Sequence, residues 1–216
     1  MTEPDFLRRT REGYDRTARL YAERFQHHLD DKLVDQAILS AFAGLVRQAG
    51  NRRVADVGCG TGVATAILHG LGVEAFGIDL SPYMIDEAAR RNPRLVFSVG
   101  SMSNLDLPDA SVGGVCAWYS IIHLPDEELP AAMAEFWRVL APGGSVLLGF
   151  QVGDEPRVLT AAFDQVVELT FHRRLPAAVC EVLADAGFTV HAQLLRAPED
   201  DGLESTPQAF VIARKQ

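Results

Sequence analysis

Asp56-Val57-Gly58-Cys59-Gly60-Thr61-Gly62 places a carboxylate just ahead of three glycines at alternate positions. Glycines so spaced strip β-carbons from one edge of a turn, so the backbone can take positive φ and lie flat against a bound molecule. A second acid, Asp79, ends the run Glu74-Ala75-Phe76-Gly77-Ile78 about 20 positions after Gly58, where a carboxylate can accept both hydroxyls of a ribose. Further on, Trp118-Tyr119-Ser120-Ile121-Ile122-His123 offers a phenol and an imidazole. A histidine near neutrality can take a proton from a hydroxyl or amine, and it can equally hold a loop by its hydrogen bonds. The glycine turn has no Gly-Lys-Ser/Thr, which argues against a phosphate-loop nucleotidase. As a dinucleotide fingerprint it is imperfect: its third glycine comes one position early, leaving Val63 or Ala64 to serve.

Positioning these groups calls for alternating strands and helices. Val54-Ala55-Asp56-Val57 reads as a buried strand, and a helix follows over 63–71. The next strand ends at Asp79, and Ser81 caps a helix with Pro82 in its first turn. Strands follow at 95–99, 112–120 and 145–150, with a helix from Pro125 to Leu140 on which Met133, Phe136, Trp137 and Leu140 share a face. Ahead of them, Tyr14, Ala18, Tyr21 and Phe25 line one side of a helix over 4–27, and a second helix begins near Asp30 or Asp31. Residues 151–174 interrupt the pattern, and Val158, Leu159, Ala162, Phe163, Val166 and Val167 predict an amphipathic helix there. After a helix over 176–186, Phe188 to Leu194 alternates as an edge strand and Ala209 to Ala213 reads as a buried one. The expected fold is α/β, a three-layer doubly wound (Rossmann-like) sheet of seven mostly parallel strands with an antiparallel C-terminal hairpin.

At 216 residues, net charge −9 and 48% hydrophobic residues, the chain suits one globular domain. An acidic chain is a poor binder of polyanions, so no nucleic-acid partner is expected and a small molecule is. No apolar run is long enough for a bilayer and no signal peptide is evident, so no membrane partner and a cytoplasmic location are expected. Cys59, Cys116 and Cys180 are scattered, with neither metal-ligand nor disulfide spacing, and no metal site is expected. The oligomeric state is left open.

Four stretches together resemble the class I S-adenosylmethionine-dependent methyltransferases in their small bacterial form. They are Asp-x-Gly-x-Gly-x-Gly at 56–62, Asp79-Leu80-Ser81-Pro82-x-Met84, Arg138-Val139-Leu140-x-Pro142-Gly143-Gly144, and Tyr14-Asp15-Arg16-Thr17-Ala18-Arg19-Leu20-Tyr21. The resemblance covers about residues 10 to 214. It implies a single domain over 1–216, with an N-terminal helical cap at 1–48 and a substrate-side insertion at 151–174. It also implies S-adenosylmethionine as cofactor, S-adenosylhomocysteine as product, and methyl transfer to an oxygen, nitrogen or carbon nucleophile of a small molecule.

On this likeness the cofactor would meet Tyr14, Tyr21, Asp56, Gly58, Cys59, Gly60, Asp79, Leu80, Met84, Ser101, Met102, Ser103 and Tyr119. Asp56 would face the amino-acid end, directly or through water, or else tie the loop to neighbouring amides. Tyr14 and Tyr21 would reach the methionine carboxylate or the substrate, or else pack as core aromatics. Met102 would lie on the adenine face or in the core. Tyr119 and His123 are the candidates for contact with the reacting groups, His123 as base or as loop anchor. Two positions depart from the family pattern. Ser101 stands where an acid usually takes the adenine amino group, and Gly113 where an aspartate is frequent. Two alternatives stay open: a nicotinamide-dependent oxidoreductase, and a protein that binds S-adenosylmethionine without methylating.

Overall fold

The structure, a computed structural model, describes residues 3–200 and 202–216. Its frame is a seven-stranded sheet built from β1 (Arg53–Val57), β2 (Glu74–Asp79), β3 (Phe97–Val99), β4 (Val112–Trp118), β5 (Leu140–Gln151), β8 (Thr189–Arg196) and β9 (Gln208–Arg214). The strand order is β3-β2-β1-β4-β5-β9-β8. The first five strands run parallel, whereas β9 is antiparallel to β5 and β8 to β9. The expected doubly wound sheet with its C-terminal hairpin is therefore present. Strand order reverses between β1 and β4, and a crevice opens there at the carboxyl ends of the strands.

Each face of the sheet carries a helical layer. On one side Leu39, Phe42 and Val46 of α2 (Leu33–Ala49) and Ala64 and Leu68 of α3 (Val63–Gly70) pack on Val54, Cys116 and Leu147. On the other, Met133 and Phe136 of α5 (Leu129–Val139) and Val179 and Leu183 of α6 (Pro176–Asp185) pack on Val115, Val146 and Val211. β4 is buried along its whole length, as a central parallel strand covered on both faces must be. The helix α4 (Pro82–Arg91) starts on the anticipated chemistry: Ser81 Oγ accepts the Met84 N–H at 3.1 Å, with Pro82 at the first position.

Of the 1–48 segment expected as a cap, only α1 (Asp5–Phe25) lies over the crevice, packed on α4, while α2 belongs to a layer of the sheet. The helix expected in 151–174 is not formed. That segment is an antiparallel hairpin, β6 (Arg157–Ala162) and β7 (Gln165–Phe171), which packs on α1. Apolar residues at 158, 159, 162, 163, 166 and 167 fit a helical period, but Val167, Leu169 and Phe171 also repeat every second residue. Burial follows the second pattern: Val167 and Leu169 are buried, Val166 and Glu168 exposed. The two-residue turn has Phe163 at φ 52° and Asp164 at φ 59°, the left-handed pair a tight hairpin turn demands. No Asn-Gly or Asp-Gly marks it, so the strongest sequence cue was missing. The contact with α1 is close: a β-carbon at Gly13 would lie 2.8 Å from Leu169 Cδ2.

Gly113 is explained by the turn before β1. A β-carbon there would sit 1.8 Å from the Asn51 carbonyl oxygen, so the chain has no room for the family's aspartate. Even Gly113→Ala must displace backbone. It is expected to cost about 3 kcal/mol, read as a lowered urea midpoint at unchanged m-value.

Candidate functional site: a nucleoside crevice with an aromatic annex

The three glycines of the turn all have positive φ: 73° at Gly58, 53° at Gly60 and 81° at Gly62. Gly58 is required twice over, because a β-carbon on it would fall 2.2 Å from Ser120 Cβ. Ser120 in turn donates from Oγ to the Val57 carbonyl at 2.6 Å, tying the exit of β4 to the end of β1. The turn is stapled to β2. The Gly58 and Cys59 N–H groups donate to the Ile78 carbonyl at 2.7 and 3.1 Å, and the Gly60 N–H donates to Asp79 Oδ2 at 2.8 Å. Asp79 Oδ1 accepts the Ser81 N–H at 2.9 Å. Each Asp79 oxygen keeps a second acceptor site for an incoming hydroxyl. Burial raises the Asp79 pKa, opposed by the N–H groups of Ser81 and Gly60.

Asp56 lies beneath the turn with no exposed surface. Its Oδ2 accepts the Thr65 hydroxyl at 2.6 Å, while its Oδ1 has no hydrogen-bond partner. Burial pushes its pKa up to about 7 against the Thr65 hydrogen bond, and the Asp79 charge adds to the rise. One oxygen ties down α3 and the other stays available.

Tyr119 leaves β4 in the left-handed region, φ 54°, a strained conformation for an aromatic residue. Its ring meets Trp118 and Phe210 edge-on. Its buried hydroxyl has no hydrogen-bond partner, and burial raises its pKa. His123 is fully engaged. Its Nδ1 lies 3.1 Å from the Thr170 carbonyl, which can only accept, so Nδ1 carries the proton. Nε2 then accepts the Tyr14 hydroxyl at 2.7 Å. Burial drops the His123 pKa to about 4, opposed by the Thr170 carbonyl. The imidazole thus joins α1, β7 and the β4 exit. Burial likewise raises Tyr14 well above the usual phenol range and Tyr21 to about 12.

These groups share one cavity of about 550 Å³. Tyr14, Tyr21, Asp56, Gly58, Cys59, Gly60, Asp79, Leu80, Met84, Ser101, Met102, Tyr119 and His123 all line it. Ser103, expected on the cofactor, is not among the lining residues. Its hydroxyl is buried without a partner and its N–H faces Ser101 Oγ at 3.4 Å. The apolar part of its lining, here called the annex, comprises Phe25, Leu159, Phe163 and Leu169 of α1 and the β6–β7 hairpin. Tyr21, Phe25 and Phe163 cluster there, with centroids 4.5 to 6.5 Å apart.

Sequence reading missed the polar end of this annex. Lys32 and Arg196 bind Glu204 at 2.7 Å each, and Arg196 Nε lies 2.9 Å from Asp35 Oδ2. Burial works to raise Glu204, but the hydrogen bonds from Arg196 and Lys32 outweigh it and hold the pKa at about 2. Burial dominates at Asp35 and raises it. No spacing motif could reveal a cluster joining positions 32, 35, 196 and 204. Among the described residues, no group of three or more His, Cys, Asp or Glu could hold a metal ion, and no helix is long and apolar enough to cross a membrane.

A parallel sheet ending in an antiparallel hairpin, with a glycine turn bound to an acid on β2, is the architecture of a nucleoside-binding α/β protein. The methyltransferase-domain family matches residues 54–144. A malonyl-[acyl-carrier protein] O-methyltransferase of Serratia marcescens is 30% identical over 158 residues, which is 63% of this chain and 61% of that one. A demethylmenaquinone methyltransferase of Deinococcus radiodurans is 32% identical over 167 residues, 73% of this chain and 66% of that one. The chain spans about three fifths of the length of the curated relatives it matches. Among solved structures, a DhpI–SAH complex superposes with TM-score 0.76 at 22% identity, covering 99% of this chain and 98% of that one. Magnesium protoporphyrin IX methyltransferase of Synechocystis PCC 6803 gives 0.71 at 17% identity, with both chains fully covered. The chain belongs to the class I S-adenosylmethionine-dependent methyltransferases.

Two proton equilibria here run in opposite directions. Asp56, raised from 3.8 to about 7, binds a proton in the folded state first, so its contribution favours folding as pH falls through 7. His123, lowered from 6.5 to about 4, resists protonation, so its contribution is lost as pH falls below 6.5. The two offset each other in a global melt. Site-resolved nitrogen NMR is therefore the measurement: His123 is expected to stay neutral, protonated on Nδ1, down to pH 5. Tyr14→Phe leaves Nε2 buried without a donor and is expected to cost about 1–3 kcal/mol.

Proposed function

We propose that this protein transfers a methyl group from S-adenosylmethionine to an oxygen, nitrogen or carbon nucleophile of a small molecule, releasing S-adenosylhomocysteine. The observation that carries the reading is the pairing of Asp79 with the glycine turn. Its carboxylate fixes Gly60 and Ser81 and still offers an acceptor site on each oxygen to a pair of ribose hydroxyls. The turn presents backbone without side chains, and beneath it the unpartnered Asp56 Oδ1 suits an ammonium group. Leu80, Met84, Ser101 and Met102 line the same cavity, where Ser101 can accept one hydrogen bond from an adenine amino group. The relatives named above are methyltransferases, which supports the same reading.

S-adenosylmethionine, when bound, supplies a methyl group on a positively charged sulfur. The protein's part is to align and to dry the reaction. Displacement needs the nucleophile behind the methyl carbon, and holding both reactants in line supplies much of the acceleration. Tyr119, at the switch point, and the aromatic annex shape where the acceptor stands. Through His123, Tyr14 is tied to the β4 exit and to the carbonyl of Thr170, so α1 and the β6–β7 hairpin stay seated while water is excluded.

Calorimetry with S-adenosylhomocysteine against NADH tests the reading. Micromolar binding of the first and none of the second is expected, and the reverse would overturn it. Asp79→Ala is expected to weaken S-adenosylhomocysteine at least about 30-fold, near 2 kcal/mol, as loss of hydrogen bonds to a charged group predicts. Asp56 must ionise to pair with an ammonium, so affinity is expected to rise with pH through about 7 with release of one proton. Asp56→Asn is expected to flatten that dependence.

A further inference from the structure

The cavity's titratable groups constrain what can be methylated. A neutral hydroxyl or ammonium acceptor has to lose a proton, which requires a free base beside it. The cavity's basic groups are engaged elsewhere, His28 among them, with Nδ1 on the Phe25 carbonyl. Both nitrogens of His123 are taken, Nδ1 by Thr170 and Nε2 by Tyr14. Each Asp79 oxygen holds one backbone N–H group, and on the function proposed above its remaining acceptor sites go to the cofactor's ribose hydroxyls. Glu204 is paired with Lys32 and Arg196, and Asp35 with Arg196. Asp56 lies beneath the glycine turn, one oxygen bound to Thr65 and the other, on the function proposed above, taken by the cofactor's ammonium group.

The annex does hold unspent positive charge. Three arginines line the cavity, and they differ. Arg11 is paired with Glu3 at 2.9 Å and faces Asp15. Arg24, at the end of α1, only lies over the Phe25 ring at 5.7 Å, and Arg157 opens β6. Neither the Arg24 nor the Arg157 side chain has a hydrogen bond or ion pair to any described residue, in a chain of net charge −9. The same cavity carries the apolar side chains of Leu159, Phe163 and Leu169.

Resting on the function proposed above, we infer that the acceptor is an organic acid with an apolar body, methylated on its carboxylate oxygen and guided into the annex by Arg24 and Arg157. A carboxylate oxygen donates an electron pair to the methyl carbon. The new oxygen–carbon bond forms as the carbon–sulfur bond breaks, and that bond's pair stays on sulfur. The products are a neutral ester and a neutral thioether, and no proton moves. Opposite charges cancel in this step, so apolar walls favour the transition state over the separated ions. A base locked as His123 is locked costs such a reaction nothing.

The test uses the full-length protein. Incubated with methyl-tritiated S-adenosylmethionine and an acidic small-molecule extract, it is expected to form product whose label becomes volatile in alkali, as methanol from a methyl ester. Label transferred in alkali-stable form overturns the inference and leaves the methyltransferase reading standing. No transfer from any extract overturns that reading, and the inference with it. Binding gives a second readout. By calorimetry in the presence of S-adenosylhomocysteine, 4-phenylbutyrate is expected to bind at least about tenfold more tightly than 4-phenylbutyramide. Arg24→Gln with Arg157→Gln is expected to erase that preference, raising KM for an acid acceptor while kcat changes little; Arg→Lys at both positions should restore part of it. Both side chains are exposed, so the variants are expected to melt as the parent does. Equal binding of acid and amide would refute the role of the two arginines.

Discussion

The carboxylate of Asp79 is the constraint on which the rest of the site depends. It accepts the N–H of Gly60 from one turn and of Ser81 from another, so a single side chain sets the glycine loop after β1 and the start of α4. Remove it, and two part-buried backbone donors lose their partner, at about 1–3 kcal/mol each. Its own charge is costly to bury, and its raised pKa records that cost. The two N–H groups keep the acid ionisable, and they hold it where a sugar can share it.

A second tier of contacts closes the crevice. His123 ties α1 to β7 and the β4 exit, and the Lys32–Glu204–Arg196–Asp35 cluster ties the start of α2 to the end of β8 and the connection after it. Such buried pairs add little net stability over apolar packing, yet losing one partner costs about 3–5 kcal/mol. Their value is geometric: they fix where the annex walls stand. The left-handed Tyr119 belongs with them, since a strained residue at the switch point persists only where its surroundings enforce it.

Much of this was legible in the chain, and the failures have physical causes. The glycine turn, Asp79 and the Ser81 cap are local signals, each written within about ten residues, and the structure forms all three as expected. The sheet order follows from the alternation of strands and helices and from the strict period of two near the C-terminus. The hairpin at 157–171 was misread because its apolar residues satisfy both periods, and only packing on Gly13 of α1 decides between them. The pairing of His123 with Tyr14, and of Lys32 and Asp35 with Glu204 and Arg196, joins residues more than a hundred positions apart. No spacing rule reaches that far. Gly113 looked like a defect and proved to be a fitted contact with Asn51.

The matched segment, 54–144, contains the glycine turn, Asp79 and Ser101, whereas Arg24, Lys32, Asp35, Arg157, Phe163 and Glu204 all lie outside it. The annex is thus assembled from segments on either side of the matched centre. The cradle draws on the matched centre, whereas the annex walls come from α1 ahead of it and the β6–β7 hairpin after it. The same division leaves the walls free to diverge: substitutions in the flanks can change what is held without disturbing the hydrogen bonds that hold the cradle.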